Sequence, residues 1–221
     1  MRKLVVSTFL TLDGVMQAPG GPEEDPTGEF TLGGWSVNYW DDAMADVMTG
    51  WMDNTPFDLL LGRKTYDIFA AHWPFSDEPG ADVLNAARKY VASTTLTSAD
   101  WNNSTVLTGD VVPQIAALKE QDGPEIQVHG SSNLIQTLLA NNLVDEFRLM
   151  IFPVVVGNGK RLSGEGTIPS SFTVRDASTS STGVVIATYE RAGDVETGSF
   201  AREDPTDVEL QRREQLTGGE A

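Results

Sequence analysis

Two segments of the sequence run from an apolar stretch into a polar, helix-opening one through a glycine, and both have the chemistry of an anion site. In the first, Phe57-Asp58-Leu59-Leu60-Leu61-Gly62-Arg63-Lys64-Thr65-Tyr66, the glycine lets a ligand approach the backbone. A helix opening there presents unpaired N–H groups and positive dipole charge, to which Arg63, Lys64 and Thr65 add donors. A surface Arg-Lys pair beside a helix cap has the same pattern, so the segment alone leaves both readings open. In the second, Ile126-Gln127-Val128-His129-Gly130-Ser131-Ser132-Asn133-Leu134, Gly130 and Ser131 can pass under a pyrophosphate, with Ser132 and Asn133 as donors. The bland alternative is a helix capped by Ser131 or Ser132. A third strand end, Tyr90-Val91-Ala92-Ser93-Thr94-Thr95, finishes in three hydroxyls. Three such ends matter together, because α/β sheets bind ligands at the carboxyl ends of their strands.

Candidates for acid–base work are few. His129 closes a strand and, as a histidine, is a candidate proton donor near neutral pH. Asp13, in Leu12-Asp13-Gly14, follows the first apolar strand; it either hydrogen-bonds substrate, braces the loop over the ligand, or forms a local Asx turn. The chain has no cysteine and only two histidines, which removes disulfides, thiolate metal sites and cysteine nucleophiles and supplies a histidine-based metal centre poorly. A hydrolase elbow of the Gly-x-Ser-x-Gly kind is also missing. The net charge of −17 repels phosphate backbones and anionic lipid, so neither nucleic acid nor membrane is an expected partner. An anionic ligand therefore needs a local cationic cluster, as at Arg63 and Lys64.

The elements that must position these residues follow from hydrophobic pattern. Forty per cent hydrophobic content in 221 residues suits one packed domain. Strands are expected at Lys3–Leu10, Phe57–Leu61, Lys89–Ser93, Thr105–Leu107, Glu125–Val128, Glu146–Val156, Ser171–Asp176 and Gly183–Glu190. Helical stripes occupy Tyr39–Asp53, with Asn38 as cap, and Lys64–Ala71, Asp110–Gln121 and Ser131–Asn141. Strand–helix alternation followed by strands predicts an α/β domain with a mixed, mostly parallel sheet and an antiparallel C-terminal hairpin. Asn158-Gly159 reads as a hairpin turn after the Glu146–Val156 strand. The acidic, Pro/Gly-rich stretch from 18 to 28 reads as a long loop, a candidate lid. The basic pair at the N-terminus leads into a strand rather than a signal peptide, and a cytoplasmic protein is the expectation. The domain is expected over residues 1–192; residues 193–221, with eight acidic residues and three arginines, read as a solvated extension with a short helix between Pro205 and Gln215.

The ordered set LLLGRKTYDIFAAHWP (59–74), KYVAST (89–94), IQVHGSSNLIQTLL (126–139) and LVDEFRLMIFPVVVGNGKRL (143–162), with STFLTLDGVM (7–16), resembles the dihydrofolate reductase superfamily. It is most similar to the branch containing the reductase domain of the riboflavin-biosynthesis deaminase-reductase, and the likeness covers about residues 1–190. The resemblance implies a three-layer dihydrofolate-reductase-like fold with about eight strands, NADPH as hydride donor and a homodimer. It places the glycine-basic-threonine motif on Gly62, Arg63, Lys64 and Thr65. Arg63 or Lys64 would pair with the 2′-phosphate, and Thr65 with the pyrophosphate. Ser93 and Thr94 would flank the adenosine-phosphate half, and the glycine-pair turn falls on Gly130 and Ser131, with Ser132, Asn133 and Leu134 beyond it.

Two departures stand out: His129 replaces the usual glutamate before the glycine pair, and Ser131 replaces the second glycine. In dihydrofolate reductases the acid that orients the pterin lies on the first helix. Of Asp41, Asp42 and Asp46, only Asp41 borders the apolar stripe when residues are spaced about 100° apart, so it is the candidate there. The expected partner is a pteridine-like or aminopyrimidine-like heterocycle, reduced with NADPH. A non-catalytic NADPH-binding protein on the same fold is the alternative.

Overall fold

The long apolar run Leu4–Thr11 forms a strand (β1) that sits inside an eight-stranded sheet, with hydrophobic side chains buried on both of its faces. The computed structural model describes residues 1–53 and 56–218. After β1 come α1 (Asp42–Asp53), β2 (Phe57–Gly62), α2 (Arg63–His72), α3 (Ala81–Ala86), β3 (Lys89–Ala92) and β4 (Ser104–Leu107). Then follow α4 (Val111–Glu120), β5 (Glu125–Val128), α5 (Ser132–Ala140), β6 (Glu146–Phe152), β7 (Ser171–Thr179), β8 (Val185–Gly193) and α6 (Asp207–Gly218). The sheet order is β4-β3-β2-β5-β1-β6-β8-β7. All pairings from β4 through β6 are parallel, whereas β6·β8 and β8·β7 are antiparallel.

Alternation along each strand sends side chains to two cores. Leu60, Ile126, Val128, Phe147 and Leu149 meet Ile115 and Leu118 of α4 and Ile135 and Leu138 of α5. On the opposite face, Leu59, Leu61 and Val91 pack on Tyr66 and Phe69 of α2 and Leu84 of α3. Met150, Phe152 and Ile186 on that face meet Met44, Val47 and Met48 of α1. Helices thus cover both faces of a mixed sheet, the three-layer architecture expected from the alternation.

Three local expectations are corrected. The first helix starts at Asp42 and is capped by Asp41, whose Oδ1 accepts from Met44 N at 3.0 Å; Asn38 instead lies in a short 3₁₀ turn. A side-chain acceptor three residues before a free N–H satisfies an orphan donor, and Asp41 is the residue at that spacing. The Asn158-Gly159 turn does not make a hairpin: β6 ends at Phe152, and the following segment pairs with the loop after β1. Leu12 N donates to Val154 O (2.8 Å), Met16 N to Lys160 O (2.8 Å) and Leu162 N to Gly14 O (3.1 Å). The helix α3 has only six residues, too few for a periodic stripe to reveal it. The antiparallel C-terminal pair is β7–β8, and the acidic tail carries its helix at α6.

Lys89 lies fully inside this structure, its Nζ donating to Asn85 O (2.8 Å) and Ala87 O (2.9 Å) and standing 4.1 Å from the Trp101 ring centroid. Burial pulls its pKa down from 10.5 to about 8. The unfolded chain then binds a proton more tightly than the folded one, so the penalty is complete below pH 8 and disappears as pH rises towards 10.5. Thermal unfolding of the native protein and of Lys89→Met, followed between these limits, should show native stability gaining on the variant with rising pH. A pH-independent difference would contradict this.

Candidate active site

The parallel order brings the strand ends of β3, β2 and β5 side by side, next to β1, and a cleft of about 1320 Å³ opens over them. This exceeds the roughly 300–1,000 Å³ typical of a single drug-sized ligand, leaving room for a cofactor and a second molecule. Gly62, Arg63, Lys64, Thr65, Ser93, Thr94, Gly130, Ser131, Ser132, Asn133 and Leu134 all line it, as does His129. Asp13 and Asp41 do not.

The two glycine junctions touch. Gly62 N donates to Gly130 O at 3.2 Å. A Cβ on Gly62 would collide with Ser131 Oγ, and one on Gly130, at φ +152°, would sit 2.5 Å from Thr65 Oγ1. The peptide between Gly130 and Ser131 is cis. The absent side chains therefore let the two junctions close on one another, which brings the N-termini of α2 and α5 together at the cleft.

The cations of the first junction diverge. Arg63 Nε contacts both carboxylate oxygens of Asp67, at 2.7 and 2.8 Å, and Nη1 reaches Thr95 Oγ1 at 3.4 Å, on the β3 side. Lys64 points the other way, donating to Thr27 Oγ1 (2.8 Å) and lying 3.5 Å from Asp25. Lys160, which the sequence reading passed over, meets the same Asp25 and donates to Thr27 Oγ1 at 2.8 Å. Its pKa is lowered by burial. The loop expected as a lid is folded over the cleft: Gln17 Nε2 holds Asp25 O and Thr27 O at 2.8 Å, and Gly20, Gly21, Glu24 and Asp25 join the lining. Burial raises the Glu24 pKa. Lys160 hid in the sequence because its segment read as a hairpin turn, not as a partner of residues 13–17.

The expected catalytic groups are placed differently from one another. The Asp13 carboxylate accepts from Thr11 Oγ1 (2.6 Å), Val156 N (3.3 Å) and Gly157 N (2.9 Å), and Arg161 donates to the Asp13 carbonyl. The Thr11 hydroxyl, with those amides, holds its pKa down to about 2. Asp13 lies outside the cleft lining and braces the loop after β1 against residues 156–157, a long-range tie rather than a local Asx turn. Asp41 caps α1 and accepts from Ser181 N (2.8 Å) and Oγ (2.7 Å), which lowers its pKa and turns it towards the β7–β8 turn. The cleft face of α1 carries Ala45, Met48, Thr49 and Met52 instead, with Ser7, Thr8, Phe9 and Trp40 nearby.

His129 is in the cleft but neutral. Burial, reinforced by the Arg148 charge, pulls its pKa from 6.5 to about 4. Gln127 Nε2 donates to Glu125 Oε1 (2.7 Å) and Trp51 O (3.1 Å), so Gln127 Oε1 faces His129 Nε2 at 3.0 Å and accepts its proton. Arg148 anchors the row through both oxygens of Glu125, at 2.7 and 2.9 Å. The imidazole consequently carries hydrogen on Nε2 and offers Nδ1 as an acceptor. Burial thus favours the neutral ring near neutral pH.

Comparison with known proteins agrees with this architecture. The family model described as RibD C-terminal domain matches residues 2–187, and the chain belongs to that family. The uncharacterized protein YyaP of Bacillus subtilis is 27% identical over 197 residues, covering 87% of this chain and 96% of that protein. A candidate riboflavin biosynthesis protein from Shewanella sp. PV-4 superposes with a TM-score of 0.61 at 23% identity, covering 86% of this chain and 99% of that one. Dihydrofolate reductase from Enterococcus faecalis, solved as a complex with NADP(H), superposes with a TM-score of 0.55 at 13% identity, over 86% of this chain and 96% of that one. The fold is dihydrofolate-reductase-like. Among the described residues no helix is long and apolar enough to cross a membrane, and no group of acidic and histidine side chains could hold a metal ion.

Two measurements test this geometry. Gly62→Ala should destabilise the fold and distort the second junction, and adding Ser131→Gly should recover part of the lost thermal stability, because the nearest obstruction is the Ser131 side chain. No recovery would place the strain elsewhere. In His72→Gln, which leaves His129 as the single histidine, the imidazole should titrate by NMR with a midpoint near 4. A midpoint near 6.5 would contradict the neutral assignment.

Proposed function

We propose that the protein is an NADPH-dependent reductase that delivers hydride to a neutral pteridine-like or aminopyrimidine-like heterocycle. The observation that carries the reading is the pair of glycine junctions, in contact with each other and flanked by Arg63 on one side, over the carboxyl ends of adjacent parallel strands. The donor set fits the cofactor. Gly62, Thr65, Gly130 and Ser131 would take the pyrophosphate, with Ser132, Asn133 and Leu134 behind it. Arg63, beside Thr95 and the Ser93-Thr94 strand end, would take the 2′-phosphate, its guanidinium matching a phosphate in a fork. Lys64 is turned to the loop and Lys160, so of the two adjacent cations Arg63 is the discriminating one. When bound, the dinucleotide supplies the hydride.

The chain's own residues orient the acceptor and exclude water. Sheet order puts the far half of the cleft at β1 and α1, where Phe9, Trp40, Met48 and Met52 make apolar walls and Thr8, Thr49 and neutral His129 supply polar contacts. Among the described side chains that β1 and α1 give to the cleft there is no carboxylate, and Asp41, which caps α1, is bound to Ser181. The carboxylates of the cleft, Glu24, Asp25 and Glu78, come from other segments, and beside β1 and α1 a neutral ring held by hydroxyls and an imidazole acceptor is the better fit. The coarse class, a reductase-like member of the RibD C-terminal domain family, supports the reading.

Equilibrium binding of NADPH and NADH to the native protein and to two single variants tests the assignment. Arg63→Ala should weaken NADPH on the order of tenfold, a charge-assisted hydrogen bond less the discount for a partly exposed site, and leave NADH nearly unchanged. Lys64→Ala should cost less. Equal native affinity for the two cofactors would overturn the 2′-phosphate role. Acceptor-dependent NADPH oxidation with dihydrofolate, the riboflavin-pathway aminopyrimidine and a panel of pterins separates an enzyme from a non-catalytic binder, which would show saturable NADPH binding and no turnover with any of them.

A further inference from the structure

A second cavity, of about 370 Å³, lies away from the cleft at the C-terminal end of α5, between that helix, β6 and the start of β7. Its floor is apolar: Leu139, Val144, Phe147, Leu162 and Phe172. Phe147 and Phe172 meet there with ring centroids 5.1 Å apart. Ser163, Thr167 and Ser170 supply hydroxyls at the rim, and Arg191 of β8 supplies the single charge among the lining residues.

Arg191 is the unusual feature. Its Nε is buried and has no hydrogen-bond partner. Among the described residues its guanidinium joins no ion pair, whereas Arg2, Arg148 and Arg161 each have a carboxylate within 4.0 Å. Arg148 shows how this chain treats a buried guanidinium, with Glu125 and Glu146 both bound to it. Arg191 as a whole is half-buried, but a guanidinium N–H kept out of water with no acceptor is costly, and such groups have a partner or an ion as their explanation. In a protein of net charge −17, with 32 acidic residues available, the missing carboxylate is conspicuous.

We propose that this cavity is a ligand site for a small apolar carboxylate, whose charged end pairs with Arg191 and whose body rests on Phe147, Phe172 and Leu139. One guanidinium matches one negative charge in bidentate geometry, so a monocarboxylate fits better than a doubly charged phosphate. The volume lies in the range of small-molecule pockets, about 300–1,000 Å³. The site is independent of the reductase reading, because none of its lining residues belongs to the cleft.

Benzoate serves as the probe and benzamide as its uncharged counterpart, with binding followed by calorimetry on the native protein, Arg191→Gln, Thr167→Phe and Arg63→Ala. The native protein and Arg63→Ala should bind benzoate saturably and benzamide at least tenfold more weakly, a margin of about 1.4 kcal/mol. Arg191→Gln should lose the preference for benzoate, and Thr167→Phe, which fills the cavity from its rim and leaves the guanidinium intact, should bind neither probe. No benzoate binding to the native protein would overturn the proposal. So would benzoate binding that survives in folded Arg191→Gln and Thr167→Phe, or that vanishes in Arg63→Ala, since that would place the probe in the cleft.

Discussion

Everything in the cleft depends on two loops approaching until no side chain fits between them. Gly62 and Gly130 are in hydrogen-bonding contact through their backbones, and a Cβ on either would run into Ser131 or Thr65. That approach follows from the sheet: β2 and β5 are direct neighbours and parallel, so the turns leaving them emerge together at one edge. The register Phe57↔Glu125 through Leu59↔Gln127 sets how far each turn projects. Two helix N-termini then converge, and the positive ends of their dipoles add at the same place. The strands behind them are held by fully buried leucines on both faces, so the edge has little freedom to open.

The second constraint is electrostatic. Each cation at the cleft is matched by a carboxylate, Asp67 for Arg63 and Asp25 for Lys64 and Lys160. The same economy runs beneath His129, where Arg148 is clamped by Glu125 and Glu146 and the row Glu125, Gln127, His129 fixes a proton position. Structural ion pairs and site chemistry thus share one network on β5 and β6.

Much of this was legible in the sequence. The strand set, the alternation and both glycine junctions announced themselves through apolar runs ending at a glycine, because a central parallel strand must be apolar on both faces and a close approach of two backbones must lack a Cβ. What sequence order could not supply was the direction of individual side chains. Asp41 sat at the right phase of α1, yet Ser181, 140 residues away, offered two donors and turned it outward. Asp13 likewise was drawn to Val156 and Gly157 across the β1–β6 pair. Lys160 stayed hidden for the same reason, since its neighbours are residues 14–17 and 25–27, far off in the chain. The surroundings that favour the neutral ring of His129 are likewise tertiary and left no mark in its sequence neighbours.

The Asp25 clasp has a consequence for how ionic strength acts on the cleft. A bare cation pair gathers mobile counterions, and an arriving anion releases them, which makes affinity fall steeply with salt. Here Lys64 and Lys160 already hold a tethered counterion, Asp25, on a loop that Gln17 pins through Asp25 O and Thr27 O. A ligand anion entering between those lysines exchanges with a carboxylate of the protein itself rather than with ions from solution. At that end of the cleft the response to salt is therefore blunted, and part of the solvent's role is taken over by the loop.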